Sequence, residues 1–239
     1  MIYNVLPGDS IAAEFKKTSI KGKTIVCREC LVVGDVNADS LPEFWDQRAL
    51  FVHTEYGEDE IEYHDRVAEE LGRLLDLDDD EVHLWFEYEL FCSVNMWFCL
   101  WLLNETAASV YRVEPIILSE ADRWNGFGKM DAGDLNRCYD ARIPFAHEDI
   151  ALGADLWNAY RKGNIDRLME LGNTASACFP YLKEVTQAAA NKDHRPSEIL
   201  AEIQFEGKKG IDEIFPEFSR RAGIYGFGDL QVERLIDKN

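Results

Sequence analysis

The 239-residue sequence predicts an α/β fold, with a parallel-sheet domain over residues 1–145 and a helical C-terminal subdomain over 146–239. Three observations carry that reading. The chain opens on an apolar strand pattern at 2–6, a short helical pattern and a β-branched strand pattern at 24–27. A strand joined to the next strand through a helix implies parallel pairing. A second strand-to-helix unit runs from 82–86 through Glu87-Tyr88-Glu89 into 90–103, where Ser93 and Asn95 are the only clearly polar residues. A helix apolar on nearly every side is buried on nearly every side. With a rise of about 1.5 Å per residue it is too short to cross a bilayer, so it is expected to be the central helix of a water-soluble core. From His147 onward, finally, apolar residues recur at helical spacing.

Each element has its own signal. Pro7-Gly8-Asp9-Ser10 turns the first strand into a helix over 11–18 that Asp9 or Ser10 can cap. Lys21-Gly22-Lys23 makes the return to the second strand. After the loop through Gly34-Asp35, Leu41-Pro42-Glu43 opens a helix carrying Phe44, Trp45, Leu50 and Phe51, with proline where a first turn tolerates it. A further helix is predicted over 61–75. Ser109–Val113 reads as a strand that Pro115 limits, and 131–139 as a short helix behind the turn Trp124-Asn125-Gly126-Phe127-Gly128. Leu152, Leu156, Trp157 and Tyr160, then Ile165, Leu168 and Leu171, mark the first helices of the last third. Residues 211–221, the turn Gly223-Ile224-Tyr225-Gly226-Phe227-Gly228 and a last helix from Asp229 outline a winged-helix-like module.

Charge limits the partners. With 25 Lys and Arg against 45 Asp and Glu, the formal charge of −20 repels phosphate backbones and anionic headgroups, so neither nucleic acid nor a membrane surface is an expected partner. The basic pairs Lys208-Lys209 and Arg220-Arg221 are offset by Glu206, Asp212, Glu213 and Glu217. Acidic runs at 55–60 and 76–81 read as solvated loops. The first residues carry no basic region, long apolar run or cleavage site, which predicts a cytoplasmic protein with reduced cysteines. Cys27 and Cys30 have redox-motif spacing, but Cys27 ends a strand instead of opening a helix, and no second pair completes a zinc ribbon. The five histidines show no metal-ligand spacing, and no metal site is expected.

The candidate site is a polar group at strand ends. Gly8-Asp9-Ser10 stands where a phosphate loop would, yet it has one glycine, no Gly-Lys-Ser/Thr and a carboxylate in the way. It is either a helix cap or a ligand contact. Glu87 and Glu89 stand at a helix N-terminus, where carboxylates suit the dipole without any function. In a parallel sheet the C-terminal strand ends share one edge, so Asp9, Ser10, Arg28, Glu29, Glu87 and Glu89 are predicted to line one ligand pocket, with Arg28 as its sole cation. The alternative is that Arg28 and one carboxylate form a structural pair sealing the edge.

Three stretches carry a family resemblance: Asn4-Val5-Leu6-Pro7-Gly8-Asp9-Ser10, then Arg28-Glu29-Cys30-Leu31 with Gly34, then Leu84-Trp85-Phe86-Glu87-Tyr88-Glu89-Leu90-Phe91. Their order and spacing resemble a bacterial family known as domain of unknown function 1835. Trp124 to Phe127, Leu156-Trp157 and Tyr225 to Gln231 are similar to segments that follow it. Glu29, Tyr88-Glu89 and Ser93-Val94 depart from the family's more usual residues. The resemblance implies a Rossmann-like N-terminal domain in a cytoplasmic bacterial protein, and no activity or cofactor. Two functions are expected to compete: a small-ligand site at the strand ends, or a non-catalytic interaction or regulatory protein acting through the helical part.

Overall fold

Val5 sits between Ile25 on one side and Leu84 on the other, which places the first strand inside the sheet and not at its edge. The computed structural model describes residues 1–238. Five strands, β1 (Ile2–Leu6), β2 (Lys23–Val26), β3 (Glu81–Trp85), β4 (Ser109–Val113) and β5 (Ile143–Pro144), align in the order β2-β1-β3-β4-β5. The first four are mutually parallel, and β5 adds an antiparallel edge. The fold is therefore α/β with a mostly parallel sheet.

The crossover from β1 to β2 runs one way along the sheet and those from β2 to β3 and from β3 to β4 run the other, and crossovers of one hand then put their helices on opposite faces. α1 (Asp9–Phe15) and α6 (Ala132–Asp140) cover one face, where Leu6, Phe15, Trp85, Val113 and Leu135 pack together. The other face, carrying Val5, Ile25 and Leu84, is covered by α2 (Leu41–Tyr56), the short α3 (Glu60–Tyr63) and α4 (Glu69–Gly72), and α5 (Leu90–Leu103). The α5 helix is buried at every position except Phe91 and Trp101.

The helical part follows as α7 (His147–Arg161), α8 (Ile165–Leu171), α9 (Leu182–Asn191), α10 (Arg195–Phe205), α11 (Ile211–Ala222) and α12 (Asp229–Lys238). α7 lies directly on α5, and a Cβ at Gly153 would come within 2.3 Å of Leu100, so glycine permits the close approach. Phe44, Phe98 and Trp157 join α2, α5 and α7 in one aromatic cluster. The larger of the two hydrophobic cores thus runs across residue 145. No described helix is long and apolar enough to cross a membrane.

Local departures have local reasons. The first helix starts at Asp9, its N-cap is Gly8, and neither Asp9 nor Ser10 caps it with a side chain. The helix expected over 61–75 is α3, a wide π-turn at His64–Ala68, α4 and a 3-10 turn at Arg73–Asp76. The π-turn carries Arg66 and Val67, both of which reach a cavity described below. Such interruptions are common at functional sites. β5 was too short, at two residues including Pro144, to leave a strand pattern. Among the described residues after Pro144 there is no strand, so the C-terminal module lacks the hairpin of a winged helix.

Candidate ligand cavity at the strand ends

The register that sets Leu6 beside Val26 also sets the residues that follow them side by side. Pro7, Gly8 and Asp9 leave β1, and Cys27, Arg28, Glu29 and Cys30 leave β2, at one edge of a cavity of about 430 Å³. It lies where strand order reverses about β1, the position at which open α/β sheets bind ligands. The opposite wall comes from α2, α3 and the π-turn, and Phe91 and Gln231 complete it. Asp9, Arg28 and Glu29 are thus brought together, whereas Ser10, Glu87 and Glu89 do not line this cavity.

Arg28 is already engaged. It donates from Nε and Nη2 to the two oxygens of Asp9, both at 2.9 Å, and from Nη1 to Glu70 at 2.7 Å and the Arg66 carbonyl at 3.1 Å. The hydrogen bonds from Arg28 hold the Asp9 carboxyl below the usual carboxylate range. Glu29 turns inward, where Arg48 donates to it from Nε at 3.1 Å and Nη2 at 2.8 Å and the Tyr63 hydroxyl donates to Oε1. Arg28 is therefore not the sole cation: Arg48 neutralises Glu29 from within, and Arg66 reaches the cavity paired with Glu62. Both arginines come from segments distant in sequence, α2 and the π-turn, whose placement depends on tertiary packing.

The remaining polar groups favour binding over covalent chemistry. Burial, reinforced by Glu29, pushes the Cys30 thiol up to about 11, and burial pushes the Tyr56 phenol up to about 12. Both stay protonated near neutrality, so neither is an activated nucleophile. Asp9, Glu58 and Glu62 are the exposed carboxylates of the cavity.

Glu87 and Glu89 form a separate group at the start of α5. Glu89 is the N-cap, and both its oxygens accept from the Cys92 N–H at 3.1 and 3.0 Å. Glu87 instead accepts from the Phe127 N–H at 2.6 Å. Gly126 and Gly226 close over the two carboxyls: a Cβ would fall 1.9 Å from the Glu87 carboxyl carbon and 2.6 Å from that of Glu89. Burial raises both pKa values, that of Glu89 to about 8 with help from the charge of Glu87. Glu87, Glu89 and Cys92 hold their ligand atoms within 4.8 Å of one another and are the cluster among the described residues with donors for a metal ion.

Several cavity residues, Tyr56, Glu58, Glu62, Tyr63 and Arg66, had no distinguishing sequence signal, and Phe91 and Gln231 stood out only as parts of stretches that carry the family resemblance. Glu58 belongs to an acidic run that reads as a solvated loop, and Gln231 arrives from the last helix. Comparison with protein families, curated proteins and solved structures finds no match to this chain.

Proposed function

We propose that the chain is a small-molecule-binding protein whose ligand carries a protonated amine or a comparable hydrogen-bond donor and sits in the cavity at the ends of β1 and β2. The observation that carries the reading is the state of the charges there. The cavity's own arginines, Arg28 and Arg66, are already matched by Asp9, Glu70 and Glu62, which leaves the Glu58 carboxylate without a cation among the described residues, and Asp9, Glu58 and Glu62 are all exposed beside the rings of Tyr56 and Phe91. An anionic ligand would have to displace Asp9 from Arg28; a cationic one adds to the carboxylates directly. The volume, about 430 Å³, suits a metabolite. The Rossmann-like reading is supported by the parallel order β2-β1-β3-β4 with helices on both faces, and a cytoplasmic bacterial protein similar to domain of unknown function 1835 accords with it.

The test is a thermal-shift and calorimetric screen of amines, organic phosphates and carboxylates. A ligand at a hundred times its Kd adds about 2.7 kcal/mol of stability. Amines are expected to stabilise the protein, with Asp9→Asn and Glu58→Gln weakening the effect. Stabilisation by phosphates alone would overturn the reading, and no stabilisation by any class would favour a role in protein interaction.

A further inference from the structure

A second cavity of about 430 Å³ adjoins the first and shares Tyr56 and Gln231 with it as a common wall. Gln231 sits at the start of α12, where its side-chain oxygen accepts from the Gly228 N–H at 3.0 Å. One turn further along α12, the Arg234 guanidinium lies 4.0 Å from the centre of the Tyr56 ring and donates to Glu55 at 2.8 Å. An aromatic face with a carboxylate beside it is a general means of holding an organic cation. Here the chain supplies the cation itself. The Arg234 and Glu55 side chains are 28% and 39% exposed, so the contact is open enough for exchange without moving α12, which Val232 anchors in the core. The other charges of this cavity, Lys192 and Asp193, pair with each other at 2.9 Å.

We infer that Tyr56 and Glu55 form a second cation subsite that Arg234 occupies as an internal competitor, and that the whole site takes an extended ligand with cationic groups at both ends, of the polyamine class. This deepens the proposed function and rests on it. One ammonium group meets Asp9, Glu58 and Glu62 in the first cavity, the alkyl chain passes the wall of Tyr56 and Gln231, and the second ammonium replaces the Arg234 guanidinium on Tyr56 and Glu55. No covalent step is involved.

The experiment is calorimetric titration of the full chain with spermidine, and with propylamine as a one-ended control. Arg234→Ala should tighten spermidine about tenfold, the range a partly desolvated cation–π contact accounts for, and leave propylamine unchanged. Arg234→Lys should behave as the parent, because an ammonium can hold the same place. Glu55→Gln should reduce spermidine to the affinity of propylamine. Arg234→Gln serves as a second variant should the alanine form melt early. Equal spermidine binding by the parent and both uncharged variants, with sensitivity to Asp9→Asn retained, would overturn this inference and leave the proposed function standing. Tightening of spermidine and propylamine alike would also overturn it, since that reports general opening. Absence of spermidine binding in every form would overturn this inference, and absence of propylamine binding as well would overturn the proposed function with it.

Discussion

Removing one charge from the Glu29–Arg48 pair isolates its partner in the interior, and the geometry allows the cost to be placed. Both side chains are 0% exposed, so neither can turn to water when the other is changed. Breaking such a pair by altering one member costs about 3–5 kcal/mol, against a total stability of about 5–15. Glu29→Gln keeps an oxygen for Arg48 or Tyr63, and Arg48 keeps the Val33 carbonyl at 2.9 Å and the Phe51 ring at 4.5 Å. The loss should therefore sit near the lower end, about 3 kcal/mol, and Glu29→Leu near the upper. For a chain of this size each kcal/mol lowers Tm by about 2–4 °C, so the two variants should melt about 6–12 °C and 10–20 °C below the parent. Urea unfolding followed by tryptophan fluorescence gives the free energies directly. The double variant Glu29→Leu, Arg48→Met should recover most of the loss, because replacing both partners with apolar groups is often close to neutral. A Glu29→Gln protein within 1 kcal/mol of the parent would refute the claim that this pair is sealed from solvent.

Four further outcomes are expected. A Glu89 pKa of about 8 in the folded state lies above its ordinary value, so the unfolded chain binds fewer protons and stability falls as pH rises from the ordinary carboxyl range to about 8. Glu89→Gln should flatten that decline, measured as denaturation free energy between pH 5 and about 8.5. Gly126→Ala should cost at least about 1–2 kcal/mol from its left-handed backbone alone, with the clash against Glu87 in addition, and thermal melting reads it. Met96→Lys places an ammonium at a 2% exposed position that touches Arg112 and should abolish soluble expression, whereas a cooperatively melting product would show the α5 core to be accessible. The full chain should not bind random duplex DNA at micromolar concentration in a salt-sensitive way, since Arg221 pairs with Glu206 and Glu217, and Arg220 with Glu217; a gel-shift titration checks this.

What could be read from the sequence was set by local pattern. The strands at the start, the strand before α5 and α5 itself announce themselves, because β-branched runs and an uninterrupted apolar helix have few other solutions. The meeting of Asp9 with Arg28 follows from strand adjacency, which the strand-helix-strand order nearly determines. Glu29 and Arg28 are neighbours in sequence and still part company, one turning outward to Asp9 and the other inward to Arg48. That choice depends on α2 delivering Arg48, and no pattern around position 29 contains the information. The same holds for Gln231 and Arg234, which reach the cavities only because α12, packed on α10 and α11, carries them there.

The two Gly-Phe-Gly turns show the limit most sharply. In sequence they are ordinary punctuation, alike in composition and separated by a hundred residues. In the structure each places a glycine against a different carboxyl of the same pair, Gly126 over Glu87 and Gly226 over Glu89. Both glycines also have positive φ, 59° and 68°. Backbone conformation and close approach therefore demand glycine independently, and only the second demand is tied to Glu87 and Glu89. Shortening those side chains would relieve the crowding while leaving the conformational requirement in force. Glu89→Ala should accordingly lessen the penalty of Gly226→Ala without removing it, and a double-mutant cycle in which the two penalties simply add would show that the turns owe nothing to the carboxyls beneath them.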